Sequence, residues 1–218
     1  VLVASGRFIN NGTIQANAVV AEGGTLAGTG VTTGSLTVSN GGCLSPGNRI
    51  GTLTVGGSVV LAGSCLMELQ KTGSTSANDQ LSCGGKLVCG GTLSVTNLGG
   101  DLSSGGTFKL FSATNYAGQF TKIVLPLLPK QLYWETQRLL IDGTITVLPI
   151  PGISVQTNSH SFRLSWPSNL SGWQLQGQTN SPGSGLTTNW FGVGGVVSNA
   201  ILIPIVQTNG SSFFRLSK

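Results

Sequence analysis

Gly51-Thr52-Leu53-Thr54-Val55-Gly56-Gly57-Ser58-Val59-Val60-Leu61 decides the fold. Leu53 with Val55, and then Val59 with Leu61, recur at every second position, the period of a strand with one buried face. Gly56-Gly57 interrupts the run where a corner needs positive φ or a close backbone approach. The same phrase recurs outward from this stretch: glycine, a small polar residue or Lys, then an aliphatic or Phe. It precedes as Gly12-Thr13-Ile14, Gly24-Thr25-Leu26 and Gly34-Ser35-Leu36. It follows as Gly85-Lys86-Leu87, Gly91-Thr92-Leu93, Gly106-Thr107-Phe108 and Gly143-Thr144-Ile145. No stretch keeps the i, i+3, i+4, i+7 apolar spacing, so no helix longer than a turn is expected. Strands this short cannot bury their apolar faces alone, whereas stacking them coil upon coil buries a continuous core. The pattern predicts an all-β chain with a β-solenoid over 1–148. The copies are unevenly spaced, and an irregular sandwich is the competing arrangement.

Composition narrows the function classes. Only 8% of the 218 residues are charged, against about 25% in ordinary soluble domains. The polar surface must be built from Ser, Thr, Asn and Gln, a habit of secreted β-rich proteins. The 34 glycines follow no Gly-X-Y period, which excludes collagen. Eleven basic residues exceed six acidic ones, but they are scattered singly from Arg7 to Lys218. Nucleic-acid binding needs a basic stripe tracking phosphates, so no nucleic-acid partner is expected. No apolar run approaches the roughly 20 residues of a membrane-spanning helix. Without a starting Met or leader, the chain reads as a processed or excised piece of an exported protein.

Character changes at Pro149-Ile150-Pro151-Gly152, which reads as a linker over 149–152. Beyond it no acidic residue occurs, and Trp166, Trp173 and Trp190 appear. Strands are expected near 153–157, 161–166, 172–179, 189–193, 200–207 and 212–217. Short alternating strands at this spacing predict a small immunoglobulin- or fibronectin-like β-sandwich over 153–218, with Trp166 or Trp173 as its buried tryptophan.

Residues 23–147 also resemble the autotransporter-associated β-strand repeat. The resemblance is carried by Gly42-Cys43-Leu44-Ser45-Pro46-Gly47-Asn48-Arg49-Ile50-Gly51-Thr52-Leu53-Thr54-Val55 and by Asn78-Asp79-Gln80-Leu81. It continues in Gly106-Thr107-Phe108-Lys109-Leu110-Phe111 and Leu132-Tyr133-Trp134-Glu135. The resemblance implies a right-handed parallel β-helix on large exported bacterial proteins, as passenger, stalk or adhesin. Phe162-Arg163-Leu164-Ser165-Trp166-Pro167 and Phe213-Phe214-Arg215-Leu216 look like a C-terminal module carried on such proteins.

The chemistry-bearing residues support no clear active site. His160, the single histidine, lies in the turn-like Asn158-Ser159-His160 with no acid nearby and no Gly-x-Ser-x-Gly elbow in the chain. Glu68 and Asp79 form the nearest carboxylate pair for glycoside hydrolysis, with Asp79 more simply capping a turn. Arg49, Lys71 and Asp79 are too sparse for a lyase groove. No enzyme activity and no cofactor is expected. Cys43, Cys65, Cys83 and Cys89 lack zinc-knuckle spacing and favour disulfides in an oxidising compartment, free buried thiols being the alternative. The 22-residue offset of Cys43 and Cys65 is near one solenoid coil, so Cys43–Cys65 and Cys83–Cys89 are the expected pairs. Pairing of Cys65 with Cys83 or Cys89 stays open. Asn11, Asn169 and Asn209 head Asn-x-Ser/Thr sequons of the frequency chance produces.

The leading expectation is an extracellular or cell-surface structural protein, with end-to-end joining into a filament through unpaired solenoid edges. Its partners would be further copies, other surface proteins or polysaccharide. The alternative is a carbohydrate-binding module using Trp173 and Trp190 as stacking faces, against which the alternating Phe162-Leu164-Trp166 run and the apolar strand of Trp190, Phe191 and Val193 favour core packing.

Overall fold

The fold is seen in a computed structural model that describes residues 1–167, 172–181, 183–205 and 210–218. Two compact units divide the chain, Val1–Pro149 and Ile150–Lys218. The described residues are all-β, with a single 3-10 turn at Gln137–Leu140 as their only helical element.

Unit 1 is wound from short strands that return to the same three faces. The first coil holds β1 (Leu2–Val3), β2 (Gly6–Ile9) and β3 (Thr13–Ile14); the second holds β4 (Ala18–Val20), β5 (Gly24–Gly28) and β6 (Val31–Thr32). The third holds β7 (Leu36–Val38), β8 (Cys43–Pro46) and β9 (Thr52–Val55). The fourth holds β10 (Val59–Leu61), β11 (Ser64–Thr72), β12 (Thr75–Asn78) and β13 (Gln80–Cys83). After β14 (Lys86–Cys89) and β15 (Thr92–Asn97) come β16 (Thr107–Lys109), β17 (Phe111–Ser112), β18 (Asn115–Gly118) and β19 (Lys122–Val124). The faces are parallel sheets ordered β1-β4-β7-β10-β14-β18, β19-β15-β11-β8-β5-β2 and β17-β13-β9-β6-β3. β12 departs from this plan, pairing antiparallel with the end of β11 as a hairpin.

Register places equivalent side chains directly over one another. Val3, Val20, Val38, Leu61 and Cys89 form one inward ladder. Leu26, Leu44, Cys65 and Leu93 form another on the second face. All nine are buried, so one apolar column runs through the coils. The sequence phrase now has its physical meaning. Gly34, Gly57 and Gly85 stack at one corner, with Gly57 N–H donating to Gly34 O and Gly85 N–H to Gly57 O, both at 3.0 Å. A Cβ on Gly57 would come within 3.0 Å of the Gly34 carbonyl carbon, so the corner admits only glycine without a shift. The next residue stitches the coils together. Asn17 Oδ1 accepts from Ser35 N–H at 2.8 Å, Ser35 Oγ from Ser58 N–H at 3.3 Å, and Ser58 Oγ from Lys86 N–H at 3.2 Å.

Past the last coil, β20 (Leu132–Glu135) and β21 (Thr144–Pro149) join β16 in an antiparallel sheet, β16-β21-β20. Gly143 O accepts from Leu110 and Phe111 N–H, which covers the edge of β17. Phe120, Leu125, Leu128, Leu132 and Trp134 pack on the core there. Phe111 stacks on Phe120, and Trp134 Nε1 donates to Pro126 O at 2.9 Å.

Unit 2 carries β22 (Ser154–Thr157), β23 (Ser161–Ser165), β24 (Gln174–Asn180), β25 (Phe191–Gly192), β26 (Ala200–Pro204) and β27 (Ser211–Ser217). They form two antiparallel sheets, β22-β23-β26 and β25-β24-β27. Leu164, Trp166 and Leu175 are its buried centre, flanked by Phe162, Val193, Ile201, Ile203, Phe214 and Leu216. Trp166 is thus the buried tryptophan, while Trp173 is half-buried.

The expected disulfides are absent: all four cysteines are free thiols. Cys43 lies opposite Ser64, while Cys65 lies opposite Leu44. One residue of offset turns the two side chains to opposite faces of the sheet, Cys43 half-exposed and Cys65 buried. Cys83 ends β13 on one face and Cys89 ends β14 on the next. The chain turns the Gly84-Gly85 corner and continues parallel instead of folding back, so the two thiols never oppose each other.

Candidate functional site

The most elaborate polar cluster surrounds Asp79. The sequence suggests a turn cap in a polar loop, and the structure buries the residue to 1% exposure. The β11–β12 hairpin returns the chain to the solenoid at Asn78, delivering Asp79 between two coils. There Oδ1 accepts from Gly51 N–H at 3.0 Å and Oδ2 from Glu68 N–H at 2.8 Å. Asp79 N–H donates in turn to Glu68 O at 2.8 Å. Asn78 Nδ2 donates to Lys109 O at 2.7 Å, reaching the following coil.

The Gly47–Gly51 loop is shaped to receive this carboxylate. Gly47 has φ +89°, and a Cβ there would lie 2.2 Å from Asp79 Oδ1. Burial pushes the Asp79 carboxyl up to about 7, opposed by the two backbone N–H bonds, with the neighbouring Glu68 charge adding to the rise. The arrangement is a clamp between coils. A carboxylate whose two oxygens are both engaged by backbone N–H groups is not a free general base. Glu68, the other member of the nearest carboxylate pair in the sequence, touches Asp79 through its main chain.

The other sequence candidates do not converge with Asp79. Lys71 Nζ is bonded to Ser103 Oγ. His160 and Ser159 sit in the β22–β23 hairpin, where Ser159 Oγ lies 2.7 Å from His160 Nδ1 and both residues are exposed. Asn158 Oδ1 accepts the His160 and Ser161 N–H groups, which closes the turn. Asn11 Oδ1 accepts from Thr29 N–H at 3.2 Å. Asn169 and Asn209 lie outside the described residues. Among the described residues no three His, Cys, Asp or Glu side chains converge as metal ligands. No helix among them is long and apolar enough to cross a membrane.

Cys65 and Cys89 are inert by environment, whereas Cys43 is half-exposed. Burial raises Cys65 well above its ordinary value and Cys89 to about 11, so both stay protonated at neutral pH.

The tryptophans divide between two surroundings. Trp173 lines a cleft of about 180 Å³ with Trp166, Gln174, Leu175, Gly192, Val193 and Val196. Trp190 lies elsewhere, under the Arg215 guanidinium at 4.2 Å from the ring centre. The core position expected for it from its apolar strand is therefore corrected. The segment leading to Trp190 is held on β24 by Gln178, a residue sequence reasoning missed. Gln178 is 2% exposed, and its Oε1 accepts from Thr187 N–H at 2.8 Å and Thr187 Oγ1 at 2.9 Å. The alternating Gln174-Leu175-Gln176 run was the available signal, but it does not say which glutamine a loop will cover.

Comparison with known protein families and with curated proteins finds no match to this chain.

Proposed function

We propose that the protein is a non-catalytic structural element of a cell surface or extracellular assembly, a shaft segment bearing a small C-terminal module. The observation that carries this is the uninterrupted apolar column of unit 1, stitched coil to coil by the Asn17–Ser35–Ser58–Lys86 strap and the Asp79 clamp. Each coil rests on its neighbours, a plan that gives stiffness along one axis. Right-handed winding and membership among autotransporter-type passengers belong to this proposal through the sequence resemblance. For unit 2 we adopt the fibronectin-type reading. Its two sheets pair the first, second and fifth strands and the fourth, third and sixth, the order of such sandwiches short of a last strand.

The extracellular placement rests on the charge-poor, hydroxyl-rich composition and on the resemblance, since four free thiols lend an oxidising compartment no support. End-to-end filament growth is not carried forward, because Phe120, Leu125, Leu128, Leu132 and Trp134 close the apolar column at one end. The test is antibody labelling and protease shaving of intact source cells. Surface labelling that shaving removes is expected; recovery of the protein solely with cytosolic markers would overturn the proposal.

A further inference from the structure

Unit 2 contains Arg163, Arg215 and Lys218 but no Asp or Glu, every acidic residue of the chain lying at or before Asp142. The ion pair of Arg138 with Asp142 lies in unit 1. The guanidinium groups of unit 2 thus have no acidic side chain in their own unit.

Arg215 is the one held in a fixed pose. Phe214 and Leu216 turn into the core, so alternation turns Arg215 to the outer face of the β25-β24-β27 sheet, where it is exposed. Its Nε donates to Gln176 Oε1 at 2.9 Å, and its guanidinium carbon sits 4.2 Å from the Trp190 ring centre. Gln176 is flanked in register by Arg215 on one side and Gly192 on the other. A Cβ at Gly192 would meet nothing within 4 Å, so the surface beside Gln176 is open. Trp190 in turn is fixed by the segment that Gln178 anchors through Thr187.

An immobilised guanidinium has already given up the side-chain freedom that binding would cost. With Nε committed, its terminal amino groups form a fork matched to a carboxylate. Gln176, its oxygen committed to Arg215, keeps its amide nitrogen as a donor. The adjoining indole carries the guanidinium on its face and so serves as the platform that keeps the fork in place. Polymers read through phosphates need many cations along a track, which this unit lacks.

We propose that Arg215, Gln176 and Trp190 form a recognition site for a carboxylate-bearing sugar, a uronate of an acidic polysaccharide. The fork of Arg215 takes the carboxylate, Gln176 donates to a hydroxyl, and Trp190 holds the guanidinium in its pose. This function is separate from the shaft role and would give the shaft something to hold.

Affinity electrophoresis of the full 218-residue chain tests it, in gels containing polygalacturonate, its fully methyl-esterified form, dextran or duplex DNA. Retardation by polygalacturonate alone is expected. Arg215→Gln and Trp190→Ala should each weaken it by about tenfold or more, the loss expected for one charge-assisted contact. Arg215→Lys, which keeps charge without the fork, should retain part of it, and Arg163→Gln on the other sheet all of it. Thermal melts establish that each variant is folded, and Arg215→Lys decides the matter if Arg215→Gln is not. Equal retardation by the methyl ester or by DNA, no retardation at all, or wild-type binding by a folded Arg215→Gln overturns the proposal.

Discussion

In the solenoid, the side chains that meet across neighbouring strands are equivalents of one another. Val20, Val38 and Leu61 stack because each holds the same place in its own coil. In the C-terminal unit, Leu164 and Leu175 come from different sheets and hold no equivalent places. The first plan needs only nearest-neighbour agreement, so it tolerates coils of unequal length. Val3 to Val20 spans 17 residues and Cys89 to Gly118 spans 29, yet both pairs stay in register. Extra residues leave at corners, as the β11–β12 hairpin does. The second plan depends on two sheets meeting face to face, and among the described residues Leu164, Trp166 and Leu175 form its buried apolar cluster. The lesson is that repetition supplies redundancy, whereas a small sandwich concentrates its stability in a few contacts.

The largest test of that contrast is truncation inside the column. Leu44→Ala, at a fully buried site between Leu26 and Cys65, should cost unit 1 about 2–5 kcal/mol. Hydrogen exchange should quicken in the coils beside it and leave 153–218 unchanged. Uniform acceleration across both units would break the comparison.

Next in size is the clamp. Asp79→Ala removes two hydrogen bonds made by a buried carboxyl and should cost about 2–3 kcal/mol in urea denaturation. The same group sets a pH dependence. Its folded value of about 7 lies above the ordinary carboxyl value near 4. Between those values the folded chain binds the proton that the unfolded chain releases, so stability is greatest near pH 4 and falls as pH rises through about 7. Asp142 works the other way, held low chiefly by Thr144 and then Arg138, but its contribution is lost only as pH falls below about 4. Denaturation midpoints at pH 5 and pH 8 therefore isolate Asp79. Asp79→Asn should flatten the difference, and an unchanged slope in that variant counts against the buried clamp.

A smaller effect has the opposite sign. Thr32 lies in the inward ladder with Ile14 and Val55, fully buried, and its hydroxyl has no partner. Thr32→Val should stabilise unit 1 by about 1–2 kcal/mol, read as a higher denaturation midpoint. The smallest test leaves stability untouched. A thiol reagent should modify the half-exposed Cys43 in the folded protein, while Cys65, Cys83 and Cys89 react only after unfolding. More than one rapidly reacting thiol in the native protein contradicts the register described for the column.

Much of this architecture was legible in the chain. The period of two in Leu53, Val55, Val59 and Leu61 places them inward, and all four are buried. The glycine phrase marked the corners, and the six short strands beyond residue 152 lie close to their expected places. The disulfide pairing failed because a 22-residue offset says that Cys43 and Cys65 are about one coil apart, not that they share a face. Trp190 was misplaced because apolar alternation cannot distinguish a core position from one stacked on a distant arginine. Asp79 was read as a simple turn cap for a similar reason. Its sequence neighbours are polar, but the atoms that bury and bond it belong to Gly47, Gly51 and Glu68.

The sequence by itself determined the strand period, the corners, the all-β class and the change of character near residue 150. These depend on alternation and on glycine, properties that act between residues adjacent in the chain. Only the tertiary structure decided which coil residue faces which, that the thiols stay apart, that Asp79 is a clamp and that Arg215 is held against Trp190. Each of those depends on register between strands 10 to 40 residues apart, where one residue of slip reverses the face a side chain occupies.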